Sequence, residues 1–373
     1  MRSALKFIVI MGVVSLLGDT IYEGARGVIG TYLATLGATA FYIGILMGLG
    51  ELIGYSLRMA FGYLSDKTRA YWFFTFLGYA LILSIPLISF FDEIGIVSVL
   101  ILAERIGKGI RSPPRDTLIS LASKKLGRGV SFGLHEALDQ IGALIGPFIF
   151  FVVLYLGFGY KTGFAILFIP AILMIAFLYL ARINYPEVET STGVEKAKLD
   201  KNFWYYLLFT MLSTAGLANF QLIAYHLKLN SIFSDEIIPV LYSAAMGVDA
   251  ISALISGKFY DRSGLKTLFL VPILTFLSVF LAFGHFPIAG ILFFGLVMGM
   301  QESVIRAAVA DIVKAEKRAT AYGIFHSGVG FGFFIGGAFV GYLYETSINL
   351  VFLYSLIIEL IATAFLVKLL RNF

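Results

Sequence analysis

The sequence predicts an all-α membrane protein of twelve transmembrane helices, arranged as two pseudo-symmetric six-helix bundles. Three observations lead there: an apolar composition, twelve windows of span length, and a polar break between two similar halves. Of 373 residues, 59% are hydrophobic and 14% charged, whereas a soluble domain carries about 25% charged residues. A soluble protein of this length cannot hide so much apolar surface, so the surrounding solvent must itself be apolar. Cysteine is absent, which excludes disulfides and thiolate metal sites.

A bilayer span needs about 20 mostly apolar residues. Twelve such windows fall at roughly 5–36, 39–63, 71–91, 94–121, 129–155, 160–182, 202–228, 236–258, 267–284, 287–313, 319–344 and 347–369. The first is too long and too polar for a secretory signal and is read as a mature helix. Lys and Arg in the loops set the orientation. With the N-terminus in the cytoplasm, nineteen basic residues fall on the cytoplasmic side and two, Lys161 and Lys228, on the other. Both termini are therefore expected in the cytoplasm, and the net charge of +5 reflects topology and anionic lipid, not nucleic acid.

Residues 183–201 are polar and carry Pro186 and four acids. They read as a cytoplasmic linker between an N-terminal bundle, 1–182, and a C-terminal bundle, 202–373. The halves resemble each other. Gly62–Asp66 recurs as Gly257–Asp261, and Ile110, Arg111 and Asp116 recur as Ile305, Arg306 and Asp311, both at an offset of 195. Arg128, Phe132-Gly133 and Gly146 recur as Arg318, Tyr322-Gly323 and Gly336 at an offset of 190. Six spans per half make the repeats parallel, one of the two repeat architectures of transporters.

Two loops carry a recurrent signature: Gly62-Tyr63-Leu64-Ser65-Asp66-Lys67-Thr68-Arg69 and its copy Gly257-Lys258-Phe259-Tyr260-Asp261-Arg262-Ser263-Gly264. With them the chain resembles the major facilitator superfamily over essentially its whole length. The resemblance implies a cytoplasmic latch made by Gly62, Asp66, Arg69, Gly257 and Asp261. A small Gly62 would let two helices approach closely, and Asp66 can sit at a neighbouring helix N-terminus. Arg105-Ile106-Gly107-Lys108-Gly109 is similar to a second family motif, with Lys108 where glutamine is usual; that motif links its arginine to proton transfer. Gly142-Ala143-Leu144-Ile145-Gly146-Pro147 looks like a third, associated with proton-driven drug efflux, though Phe148 and Ile149 replace the usual glycines. The same six residues also read as a small-residue packing face with a proline bend.

Ionisable residues inside spans are expensive and are functional candidates by default. Thirteen of eighteen lie in the first half. Span one carries Asp19, Glu23 and Arg26 on one face, with Tyr22 beside them. Two carboxylates one turn apart in a low dielectric cannot both carry charge cheaply, which makes either a candidate proton carrier; a Glu23–Arg26 ion pair is the alternative reading. On span five, His135 and Asp139 share a face next to Glu136 and Gln140, as a relay or as partners for bases. On span four, Glu104, Lys108, Arg111 and Arg115 form one stripe, with Arg105 beside it and Pro113-Pro114 expected to break the helix. Arg111, Arg115 and Asp116 are placed toward the interface, where snorkelling accounts for them. Arg105 and Lys108 are placed deeper, with Asp19, Glu23, Glu136 and Asp139 as available acids. In the second half, Gln301, Glu302 and Arg306 lie on span ten.

The expected proton-coupling set is thus Asp19, Glu23, Arg26, Arg105, Glu136 and Asp139. The expected substrate-binding set is Tyr22, Lys108, Arg111, His135, Gln301, Glu302 and Arg306. The mechanism expected is alternating access with a proton gradient driving export of a small molecule. The alternative is a symporter or facilitator for an organic anion held by Lys108 and Arg111. A membrane-embedded enzyme is the other class considered, but the chain holds no His-Glu-x-x-His, Gly-x-Ser-x-Gly or phosphate-binding loop. No cofactor, metal or nucleic acid is expected. The expected partners are a substrate, protons and the lipid bilayer, for a monomer in the plasma membrane.

Overall fold

A computed structural model describes residues 2–123, 128–185, 199–313 and 318–372 of the chain. All regular elements among them are helical. In chain order they are α1 (Arg2–Thr35), α2 (Ala40–Thr68), α3 (Tyr71–Ala80), α4 (Ser84–Leu87), α5 (Ile94–Ala122), α6 (Arg128–Tyr155), α7 (Tyr160–Ile166) and α8 (Phe168–Asn184), then α9 (Lys201–Gly216), α10 (Phe220–Leu229), α11 (Ile237–Ser263), α12 (Leu270–Ala282), α13 (Pro287–Glu302), α14 (Val304–Ile312), α15 (Arg318–Thr346) and α16 (Ile348–Leu370). Ten helical stretches among the described residues are long and apolar enough to cross a membrane. Most of the expected linker, residues 186–198, lies outside the described residues.

The side chains turned outward are themselves apolar: Ile169, Ile172, Leu254, Ile273 and Leu360 are all more than half exposed. Water would not tolerate such a surface, and hydrocarbon does. Polar groups are gathered inward, with Asp19, Glu23, Glu104, Arg105 and Arg111 all buried.

The chain forms two compact units. The first comprises Met1–Tyr32, Ser56–Thr192 and Ser234–Ser243; the second comprises Leu33–Tyr55, Gly193–Phe233 and Ala244–Phe373. Each unit therefore takes in a short stretch from the other sequence half, the first part of α2 in one direction and the start of α11 in the other.

Within each unit a pair of glycines sets the helix packing. A Cβ on Gly142 would strike the Leu16 carbonyl, and one on Gly146 the Thr20 carbonyl and Gly24, so α6 lies directly on α1. In the second unit, Gly332 meets the Met211 carbonyl and Gly336 the Ala215 carbonyl, so α15 lies on α9 in the same way. Close approach at small residues is how helices associate where the solvent gives no hydrophobic drive. Leu16 and Thr20 stand 195 positions before Met211 and Ala215, the offset already seen in the loops. The packing face read from Gly142 and Gly146 is therefore present.

Two expectations are corrected here. Pro113 and Pro114 do not break their helix: α5 is continuous through both. Prolines are tolerated in membrane helices, and Ser112 and Thr117, on either side of the pair, bond back onto their own helix at the Lys108 and Pro113 carbonyls, 2.7 and 3.0 Å away. The close approach expected at Gly62 is also absent. A Cβ on Gly62 would meet only Pro113 at an ordinary 3.5 Å, and one on Gly257 nothing within 4 Å.

Candidate functional site

The first unit holds a buried cluster of charges built from α1, α3, α5 and α6, with Tyr242 from α11. Helical periodicity on α1 turns Asp19, Tyr22, Glu23 and Arg26 inward. Asp19, Tyr22 and Glu23 are 9%, 7% and 6% exposed. Glu23 is held from two sides. Arg26 pairs with one carboxylate oxygen at 3.2 Å, and the Tyr242 hydroxyl donates to the other. Lys108 crosses from α5 onto Tyr22, with its ammonium 4.3 Å from the ring centre and 3.2 Å from the hydroxyl. The Arg111 guanidinium lies between two rings, 5.5 Å from Tyr22 and 5.2 Å from Tyr79. Charges drawn out of water must be paired or spread over such faces to persist.

Glu104 anchors the basic face of α5. It pairs with Arg105 at 3.3 Å and lies 3.9 Å from Arg111. Arg105 thus pairs with its own neighbour, and Glu23, one of the four acids considered from sequence, also lies within its electrostatic reach. Seven residues along, Arg111 returns to the same helix face as Glu104 and is buried with it. Snorkelling therefore does not describe Arg111, which is 3% exposed. Nor does it describe Arg115, whose side chain is 16% exposed and reaches inward to Ser15 as well as to the half-exposed Asp116 at 2.9 Å.

A second group of polar contacts centres on Ser15. Its hydroxyl is 3.1 Å from the Tyr79 hydroxyl, 3.2 Å from His135 Nε2 and 3.3 Å from the Arg115 guanidinium. His135 Nε2 also faces Asp139 at 3.7 Å, the one-turn pair expected from sequence. Asp19 lies within electrostatic reach of Asp139, Lys108 and Glu23, so the two groups of contacts are continuous. Glu136 is different. It is exposed, because one residue along a helix turns the side chain about 100° away, so it is not part of the buried cluster.

In the second unit a small pocket is lined by Tyr55, Thr214, Gln301, Glu302, Phe325 and His326, among others. Gln301 and Glu302 thus do face a cavity. His326 stacks on Tyr55 with ring centres 5.7 Å apart and planes within 10°. The side chain of Arg306 lies outside the described residues.

The family profile of the Major Facilitator Superfamily matches residues 8–287 and again 207–372. The chain belongs to the major facilitator superfamily. Among curated relatives of this superfamily member, an uncharacterized protein of Mycobacterium tuberculosis is 38% identical, over 96% of this chain and 92% of that protein. An uncharacterized MFS-type transporter of Methanocaldococcus jannaschii is 28% identical, over 97% and 94%. Among solved structures, the nucleoside transporter NupG superposes with a TM-score of 0.80 at 14% identity, covering 96% of this chain and 99% of that one. A bacterial homologue of the human lysosomal transporter Spinster, in an inward-facing and unoccupied conformation, gives 0.74 at 16% identity, covering 100% and 98%. At such identities the structures establish the fold, and the family points to a transporter and not an enzyme.

One superfamily signature loop lies in each unit. Asp66 accepts a hydrogen bond from the Tyr71 hydroxyl at 2.8 Å. Tyr71 is the first residue of α3, and the contact is to its side chain; no side chain among the described residues caps the start of α3. Arg69 is exposed with φ +54°, and Asp261 is exposed. Glu104, Ser15, Tyr79, Arg115 and Tyr242 are the site residues that the sequence sets did not include. Ser15 carried a signal, since it stands one turn before Asp19 on the same face. Tyr79 and Tyr242 carried none, because a tyrosine in an apolar span has no periodicity that marks its partner.

Proposed function

We propose that this superfamily member is a secondary active transporter that exports a small molecule in exchange for protons, by alternating access of its two halves. The observation that carries the reading is the continuous buried set Glu23, Asp19, Asp139 and His135, interleaved with Arg26, Lys108 and Arg115 in one unit. Such a set is costly in a membrane and serves no packing need that apolar side chains would not meet better. Loading a proton on Asp19 or Glu23 changes which cations are balanced, and so can favour one state of the cycle over another. Coupling requires that difference.

Twelve spans belong to the same proposal. The 46-residue stretch Ile237–Ala282 divides at Gly264, whose φ of +56° suits a turn that few other residues make. The 29-residue α5 is long enough to cross despite its charges. Both termini then lie on one side, and the loop charges place that side in the cytoplasm.

Efflux from intact cells tests the reading. Cells expressing the protein are loaded with a panel of fluorescent lipophilic cations and organic anions, and retention is followed with and without a proton uncoupler. Uncoupler-sensitive export that disappears in the Asp19→Asn, Glu23→Gln double variant supports it. Gradient-driven export that survives in that variant sinks it.

One observation favours a second reading, transport of an organic anion. Arg111 is buried, and two of its guanidinium nitrogens, Nε and Nη1, have no hydrogen-bond partner. A planar guanidinium with free donors suits a carboxylate or phosphate group on a substrate.

A further inference from the structure

In the second unit, far along the chain from the charges described above, Glu359 on α16 faces the end of α9. It is 3% exposed. One carboxylate oxygen accepts a hydrogen bond from the Ser213 hydroxyl at 2.8 Å. The other, Oε1, has no hydrogen-bond partner. It lies against Gly216, where a Cβ would collide with it.

Gly216 is the last residue of α9. The chain runs extended through Leu217 and Asn219 before α10 begins at Phe220, with Asn219 capping the new helix at 3.0 Å. The membrane helix is therefore interrupted where Glu359 touches it. The end of α9 presents unpaired carbonyls and the negative end of its dipole. Two of those carbonyls are taken by α16 itself: Ser355 donates to Gly216 at 3.0 Å and Tyr354 to Ala215 at 3.2 Å.

A bare carboxylate in this position would be a buried anion beside a second negative pole. The groups facing it offer no relief. From α9 come Ser213 and the carbonyls, and from α16 Tyr354. α12, which also packs on α16, carries no ionisable residue; the turn Gly264–Phe269 and α15, the other elements packed on α16, carry an exposed Lys266 and Tyr322, His326, Tyr342, Tyr344 and Glu345, and among the described residues none of these makes an ion pair or hydrogen bond with Glu359. No basic side chain among the described residues acts on Glu359. What the site lacks is a single positive charge, and what it offers is oxygen: two carboxylate oxygens and a hydroxyl, close to a helix end.

We infer that Glu359 and Ser213 form a binding site for one small monovalent cation, a proton or a sodium ion, at the break between α9 and α10. Hard oxygen donors are what either cation takes, and interrupted membrane helices are where coupling ions are held. The inference does not depend on proton-driven export by the first unit.

The test uses the purified full-length protein in detergent. Binding of radioactive sodium is measured together with thermal unfolding in sodium against choline at fixed ionic strength. Infrared difference spectra look for a protonated carboxyl at neutral pH. Glu359→Gln mimics the neutral carboxyl, and Glu359→Asp keeps the charge while moving any carboxyl band. If sodium is the ligand, the wild type binds it and unfolds at a higher temperature in its presence, and Glu359→Gln loses binding at least tenfold. If the ligand is a proton, sodium has no effect and the wild type shows a protonated-carboxyl band that shifts in Glu359→Asp and vanishes in Glu359→Gln. A wild type that neither binds sodium nor shows that band holds a bare carboxylate, and the inference is overturned. Both arms are read on the wild type first, so poor folding of a variant does not protect the idea.

Discussion

Tyr242 donates a hydrogen bond to Glu23, a residue 219 positions earlier in the chain. The contact joins the start of α11 to the middle of α1 inside the first unit, and it completes a carboxylate that Arg26 holds from the other side. Glu23 is therefore not simply one half of an ion pair. Its second oxygen reports the position of another helix.

Replacing Tyr242 with Phe removes that donor and little else. Hydrogen bonds within membrane proteins are worth about 0.6–2 kcal/mol, so the variant is expected to lose that much stability. A double-mutant cycle with Glu23→Gln, read by thermal unfolding in detergent, checks the assignment. Losses that simply add would show that the hydroxyl and the carboxylate do not interact.

The two kinds of glycine in this fold predict opposite outcomes. Gly146→Ala drives a methyl group into the Thr20 carbonyl and the Gly24 backbone, so α1 and α6 must separate. Overpacking of this kind costs about 1–3 kcal/mol. Gly62→Ala meets only Pro113 at 3.5 Å and is expected to unfold like the wild type. Equal melting temperatures for both variants would contradict the packing.

The contrast shows what the sequence could reveal. Gly142 and Gly146 were legible because a four-residue spacing of small residues means helix approach whatever the neighbour. Most of the helices were legible as apolar windows of span length, whereas the break between α9 and α10 falls inside one such window and left no mark in its hydropathy. The signature glycine Gly62 pointed to an approach that the packing does not contain, since spacing says nothing of where the opposing helix crosses. The charge cluster was half legible. Asp19, Glu23 and Arg26, and His135 with Asp139, share faces by helical periodicity alone. The cross-helix partners, Tyr242 for Glu23 and Tyr22 for Lys108, depend on tertiary placement that one sequence does not encode locally. Glu104 was visible as a charge, but its pairing with both Arg105 and Arg111 needed side-chain geometry.

Lys108 separates the two transport readings. Its ammonium rests on Tyr22 near Asp19, so Lys108→Gln removes a positive charge from the region where an anionic substrate would be held. An anion carrier should lose affinity by roughly tenfold or more, since charged hydrogen bonds are worth about 1.5–3 kcal/mol. An exporter of cations should keep its substrate affinity and change instead in its dependence on the proton gradient. Transport kinetics at two imposed gradients distinguish these outcomes.

Glu104 and Glu136 give the last prediction, because sequence alone would rank them alike. Both are acids in predicted spans of the first half. Glu104 is 2% exposed and faces Arg105 and Arg111, both nearly as buried. Removing its charge by Glu104→Gln leaves those guanidinium groups without their shared acid. Breaking a buried pair in this way costs about 3–5 kcal/mol, enough to lower the yield of folded protein. Glu136 is exposed and anchors no buried base, so Glu136→Gln should change stability by no more than about 0.5 kcal/mol. The comparison is read from unfolding midpoints and from the monodisperse fraction after purification. Replacing Arg111 with an apolar residue of similar volume in the Glu104→Gln background should recover part of the loss, because the orphaned charge, and not the missing hydrogen bond, is its main source. Failure to recover any of it would mean that Glu104 stabilises α5 by a route other than its pairing with these bases.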